Sequence, residues 1–151
     1  TPHFMESSDI YDAEILSLRE KHGYAAVTPE NFNEIIEENN TIAKKIVLEY
    51  LDRIGAENIR VLKEEYPYSI YDIQYTIGNK RKYSIIKQTA TKAKYFTLPI
   101  SKIQFCNDFS DEAVLMLVTD INGDPKIHQY FIDDLNGLNK SINSITYEDR
   151  K

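Results

Sequence analysis

Apolar positions recur at helical spacing through the first third of the chain and at a spacing of two through its middle, the period changing near Asn58. Ser7-Ser8-Asp9 offer N-caps to a first helix with apolar positions Ile10, Ala13, Ile15 and Leu16, and Lys21-His22-Gly23 end it with cations and a glycine. Thr28-Pro29-Glu30 supply a cap, a proline at the first helical position and an acid in the first turn, which predicts a second helix to about Glu38. Asn39-Asn40-Thr41 predict a break and a new cap. A third helix follows, with Ile42, Ile46, Val47, Tyr50, Leu51 and Ile54 as its stripe and Gly55 as its stop.

Strands are predicted over Asn58–Lys63, Tyr68–Ile77 and Lys82–Thr89, with a polar turn at Glu64-Glu65-Tyr66-Pro67 and a tight turn at Gly78-Asn79-Lys80. In the second strand Tyr71, Ile73, Tyr75 and Ile77 alternate with Ile70, Asp72, Gln74 and Thr76. In the third, Tyr83, Ile85 and Lys87 oppose Ser84, Ile86 and Gln88. Tyr95–Leu98 reads as extended, and Pro99 opens a short helix over Ile100–Asn107. Ala113–Thr119 and Lys126–Ile132 flank Ile121-Asn122-Gly123-Asp124-Pro125 as a hairpin, and the tail from Leu135 reads as loop or weak helix. This order predicts an α/β domain: one mixed β-sheet flanked by helices, with extra amino-terminal helices.

At 151 residues the chain is long enough for one domain with a real core, and 42% hydrophobic against 28% charged residues is ordinary for a globular protein. The sequence has no run near the ~20 apolar residues of a membrane helix and no signal-peptide pattern, so an intracellular (cytoplasmic) location is expected. The lone Cys106 excludes a disulfide within the chain. Thr1 at the first position predicts a piece of a longer protein, with Met5 a second candidate start.

The net charge of −6 is unevenly spread. Residues 1–72 carry 15 acids against 7 bases, residues 73–107 carry 7 bases and no acid, and residues 108–151 carry 9 acids against 4 bases. The middle segment predicts an anionic partner, DNA or RNA, with Lys80, Arg81, Lys82, Lys92 and Lys94 as phosphate contacts and Tyr75, Tyr83, Tyr95 and Phe96 interleaved. The acidic amino-terminal helices predict the other partner class, a protein docked on them. Strand aromatics and turn lysines also have ordinary structural uses.

Other features carry less chemistry. Asp120, Asn122 and Asp124 imitate the start of a calcium loop, but Pro125 and Phe131 stand where it needs glycine and glutamate, so a hairpin turn is expected. His3, His22 and His128 have no ligand spacing, and no glycine-rich phosphate loop occurs.

One pair does suggest chemistry. Metal-assisted phosphodiester hydrolysis needs carboxylates to hold Mg²⁺ and a lysine to stabilise charge or orient water. An acid on one strand, with an acid and a lysine two apart on the next, brings all three to one face. Asp72 and Lys87 fill two of these places, and Ile85 fills the third.

From Tyr68 to Asp134 the order of motifs resembles the NO VEIN carboxy-terminal domain family, a branch of the PD-(D/E)XK superfamily. The matching pieces are Tyr71-Asp72-Ile73, Lys82 to Lys87, Tyr95-Phe96-Thr97-Leu98-Pro99-Ile100-Ser101, Val114–Val118 and Asp124-Pro125-Lys126-Ile127. The helix Thr41–Ile54 resembles the one that precedes that core, with Lys44 where members often carry a glutamate. The resemblance implies a restriction-endonuclease-like core over residues 40–135, an amino-terminal helical extension over 1–39 and a tail over 136–151. It implies Asp72 and Lys87 as vestiges of a catalytic set, Asp72 as the remaining metal ligand, and Mg²⁺ as cofactor only if a displaced acid such as Glu49, Glu64 or Glu65 restores activity. The expectation is an inactive nuclease-like domain serving as a nucleic-acid recognition module in a larger protein, with a protein-interaction module or an active Mg²⁺ nuclease as alternatives.

Overall fold

The computed structural model describes residues 13–23, 25–28, 30–98, 111–131, 139–140 and 146–149. The predicted helix over 100–107, Cys106, and the start of the first helix lie outside these residues.

Helix α1 spans Ala13–His22 and buries Ala13, Ile15, Ser17 and Leu18; Leu16 is only half-buried. Helix α2 then runs unbroken from Phe32 to Arg53, where two helices and a break at residues 39–41 were expected. Its buried stripe is Asn39, Ala43, Val47 and Leu51, a strict i, i+4 row that passes through the expected break. Asn and Thr cost at most about 0.7 kcal/mol each relative to alanine in a helix, less than burying Val47 and Leu51 returns at about 1.5–3 kcal/mol each. The Thr41 hydroxyl donates to the Glu37 carbonyl at 3.0 Å, bonding back into the helix it was expected to cap. Ile42 and Ile54, expected inside, are 37% and 42% exposed.

Strand β1 (Glu57–Val61) leads into a single helical turn, α3 (Leu62–Glu65), at the position read as a polar turn. Strand β2 covers Ile73–Ile77, only the second half of the stretch expected to be extended. The first half forms a turn in which Ser69 N–H donates to Tyr66 C=O at 2.9 Å, and Tyr68 is fully exposed. Alternation therefore starts at Ile73, and Tyr71 packs on the opposite side of the sheet from Ile73 and Tyr75. Gly78 and Asn79 both take positive φ (55° and 65°), joining β2 to β3 (Lys80–Gln88) with Ile77 opposite Lys80, as a primed two-residue turn requires. Strands β4 (Lys94–Thr97), β5 (Ala113–Thr119) and β6 (Lys126–Tyr130) follow. The tail, expected as loop or helix, supplies strands β7 (Asn139–Lys140) and β8 (Thr146–Asp149).

The main sheet is mixed, in the order β1-β2-β3-β5-β6, with β3 and β5 parallel and the other neighbours antiparallel. Strand β4 pairs with β8, and β8 with β7, in a second small sheet. Every residue of β5 is buried, as expected of a strand covered on both faces. On one face Ala43, Val47 and Leu51 of α2 pack on Ile73, Tyr75, Val114, Met116 and Val118. On the other, Ile85, Leu115 and Leu117 pack on Tyr71, Phe96 and Leu98. Burial pushes the Tyr75 phenol above its ordinary pKa, opposed by the hydrogen bond that Ser84 donates to it. Helix α1 is tied to this core by long-range bonds: Thr97 Oγ1 accepts from Ala13 N–H at 2.8 Å and Ser17 Oγ from Ala90 N–H at 3.0 Å.

Candidate functional site

A cavity of about 330 Å³ opens where the start of β2 meets the end of β3. Asp72 and Lys87 both line it, as does Ile85, so the hairpin brings together the residues that spacing suggested. The remaining walls come from Glu14 of α1, Asn40, Thr41 and Lys44 of α2, and Val61 and Lys63 around the β1–α3 junction. The fold thus collects Lys44, Lys63 and Lys87 from three separate elements, against Asp72 and Glu14.

Asp72 sits one residue before β2 and reaches across to β3. Its Oδ2 accepts from Ile86 N–H at 2.7 Å, and its Oδ1 lies 3.0 Å from Lys63 Nζ. Its main chain is also held: Asp72 N–H donates to Ser84 C=O, and Asp72 C=O accepts from Leu62 N–H, each at 2.8 Å. Both carboxylate oxygens are therefore occupied in fixing where β2 begins. Lys87 faces Glu14 at 4.0 Å, with side chains only 17% and 15% exposed. Lys44 lies 3.5 Å from Glu64 at the rim.

Ile85 is 2% exposed and belongs to the core, with Leu115, Leu117 and Phe96. A hard divalent cation favours six or more oxygen ligands. The residues at this cavity do not make such a site: Ile85 supplies no ligand, and the two carboxylates already lie against lysines. Among the described residues no cluster of three or more His, Cys, Asp or Glu side chains is placed to hold a metal ion. Of the acids considered as replacements, Glu49 is exposed, Glu64 pairs with Lys44, and Glu65 pairs with Arg60, whose Nε lies 3.4 Å from Glu65 Oε1. That pairing lowers the Glu65 pKa and raises that of Arg60. None of these acids lines the cavity; Glu14 does.

The chain matches no known family model, no curated protein and no solved structure.

The five basic residues expected to contact phosphate fall in two groups along the chain. Lys80, Arg81 and Lys82 lie at the hairpin end of β3, whereas Lys92 and Lys94 follow its other end. Several are matched by acidic flanking segments: Arg81 lies 3.5 Å from Glu112, Lys94 lies 3.4 Å from Asp149, and Lys82 Nζ donates to Asp111 C=O at 2.8 Å. Lys80 and Lys92 are exposed. No helix among the described residues is long and apolar enough to cross a membrane.

Glu14, Asn40, Thr41 and Lys63 at the cavity were not singled out by the sequence. Glu14 reaches the cavity through the long-range Ala13–Thr97 and Ser17–Ala90 bonds that seat α1, which no spacing within the chain encodes.

Proposed function

We propose that the chain is a restriction-endonuclease-like domain that binds nucleic acid without cutting it, taking backbone phosphate at the Lys44–Lys63–Lys87 cavity. The observation that carries this reading is the state of the Asp72 carboxylate. Both its oxygens are engaged by Ile86 N–H and Lys63, and the neighbouring position that would need an acid holds the core residue Ile85. What converges on the cavity is cationic side chains from three elements, flanked by the neutral donors Asn40 and Thr41. Lysines contact phosphate as point charges, and the exposed pair Lys44–Glu64 is worth little enough, about 0–1 kcal/mol, for an incoming phosphate to replace it. Lys80 and Lys92 extend the contact outward.

Binding of a fluorescein-labelled single strand, followed by anisotropy across a salt series, tests this reading. Lys44→Gln and Lys63→Gln should each reduce the slope of log K against log salt by about 0.7, the value for one phosphate contact on a single strand. Unchanged slopes, or no binding to DNA or RNA at low salt, would refute it.

A competing reading keeps the chain as a Mg²⁺-dependent nuclease, with Glu14 in place of the missing acid. It is favoured by one fact, that Glu14 lines the same cavity as Asp72 and Lys87. Cleavage in Mg²⁺ or Mn²⁺ that is lost in Glu14→Gln, Asp72→Asn and Lys87→Ala would establish it in place of the first.

A further inference from the structure

A second cavity, of about 270 Å³, lies beside the first on the same stretches of chain. Residues 60–63 and 71–72 contribute alternately to the two: Arg60, Leu62 and Tyr71 line this one, and Val61, Lys63 and Asp72 line the other. Its floor is a row across the sheet. Arg60 of β1 is paired with Gln74 of β2, and Gln74 with Tyr83 of β3, so the three side chains share one face. Tyr71 stacks on Tyr83, ring centroids 5.1 Å apart and planes 28° apart, while the Arg81 guanidinium sits 5.5 Å from the Tyr83 centroid. Tyr66, 58% exposed, closes one wall from the turn after α3.

Two features of this cavity point to a flat, edge-polar ligand. The first is the half-buried amide of Gln74, which makes no hydrogen bond with any described residue although it lies in the cavity floor. A side-chain amide offers a donor beside an acceptor, the pattern that pairs with the edge of a nucleobase. The second is the Tyr66 ring beside the Arg60 guanidinium, which is anchored by Glu65. Aromatic rings and guanidinium planes are the surfaces on which unpaired bases stack. The volume falls just below the ~300 Å³ at which pockets for drug-sized molecules begin, and suits a single ring system. The four residue steps from Tyr83 to Lys87 span roughly 13 Å of strand, so one short stretch of nucleic acid can reach both cavities.

We infer that the Tyr66–Gln74–Tyr83 cavity is a nucleobase site, in which a base of a single-stranded nucleic acid stacks on Tyr66 and is read at its edge by Gln74. The inference rests on the nucleic-acid reading of the neighbouring cavity and adds to it the strand state and the base contact.

Anisotropy titrations of the full chain separate the two ideas. One probe is a fluorescein-labelled oligo-dA strand of about twelve nucleotides, within the ~4–16 nucleotide range of known single-strand sites. The other is an abasic strand of equal length, which keeps the phosphates and removes the bases. The oligo-dA strand should bind more tightly than the abasic one at equal salt. Tyr66→Ala should lower oligo-dA affinity by about 5- to 150-fold, the range for loss of one stacked base. Gln74→Ala should lower it too, and neither change should alter binding of the abasic strand. Tyr66 is largely exposed, so its removal leaves the core intact. Equal affinity for both strands, or no response to Tyr66→Ala and Gln74→Ala, would overturn the nucleobase site while leaving the phosphate reading in place. No binding of either strand would overturn both.

Discussion

Replacing Asp72 by alanine tests whether this carboxylate is a structural tie or a metal ligand. Its side chain is 18% exposed, and it accepts one short hydrogen bond from Ile86 N–H while pairing with Lys63. A hydrogen bond to a charged group contributes about 1.5–3 kcal/mol, and the pair with a 41%-exposed lysine adds about 0–1 kcal/mol. Asp72→Ala should therefore cost roughly 2–4 kcal/mol. For a domain of this length each kcal/mol moves Tm by about 2–4 °C, so the midpoint should fall by roughly 4–16 °C. Asp72→Asn keeps an acceptor for Ile86 N–H, loses the charge, and should fall in between. The assay is thermal unfolding followed by circular dichroism in EDTA. A Tm for Asp72→Ala within about one degree of the parent would refute the structural account. Ligand carboxylates are commonly held at a cost to stability, so a metal-binding Asp72 predicts the opposite pattern. In that case Mg²⁺ would raise the parent Tm, and Asp72→Ala would abolish the rise without lowering stability in EDTA.

Two further outcomes follow from buried polar groups. Burial, reinforced by Lys94, holds the His128 imidazole below its ordinary pKa, with Asp149 opposing and Lys126 assisting. The unfolded chain therefore takes up this proton first, and stability should fall as pH drops below about 6.5 toward the depressed folded value. His128→Gln, which retains a group able to bond Thr119 Oγ1, should remove that component; parallel urea midpoints for the two proteins between about pH 7 and pH 5 would refute it. Asn39 buries its Nδ2 within α2 at 3% exposure, with no hydrogen-bond partner among the described residues. Asn39→Leu should raise stability by about 1–3 kcal/mol in urea unfolding, and a loss would mean that the amide is satisfied or that leucine does not fit.

The hairpin was the most legible part of the chain, and the reason is local. A period of two and a turn needing positive φ at Gly78 and Asn79 fix the register Ile77–Lys80, and the register brings Asp72 and Lys87 toward one cavity. What could not be read depends on contacts between distant segments. The Asn39-Asn40-Thr41 break failed because position 39 falls on the stripe that faces the sheet, so packing outweighed propensity. Tyr71 was assigned to the wrong face because Ser69 and Tyr66 form a turn that delays the start of β2. The acid-free segment looked uniformly basic because Glu112 and Asp149, which neutralise Arg81 and Lys94, lie beyond residue 107.

Ile85 links the core to the site more tightly than any charged residue does. Its side chain contributes to the apolar cluster with Leu115 and Leu117, about 1.5–3 kcal/mol for a buried isoleucine, while the same residue lines the cavity. An ionised acid at this position would forgo that contribution and incur a desolvation penalty of several kcal/mol. Against a total stability of ~5–15 kcal/mol, the fold could carry that acid neutralised by a proton or by a cation held beside it. Lysine does not fill that role from the present positions, because Lys63 is held by Asp72 and Lys87 faces Glu14. An apolar residue at 85 and a fully engaged carboxylate at 72 are therefore two sides of one arrangement.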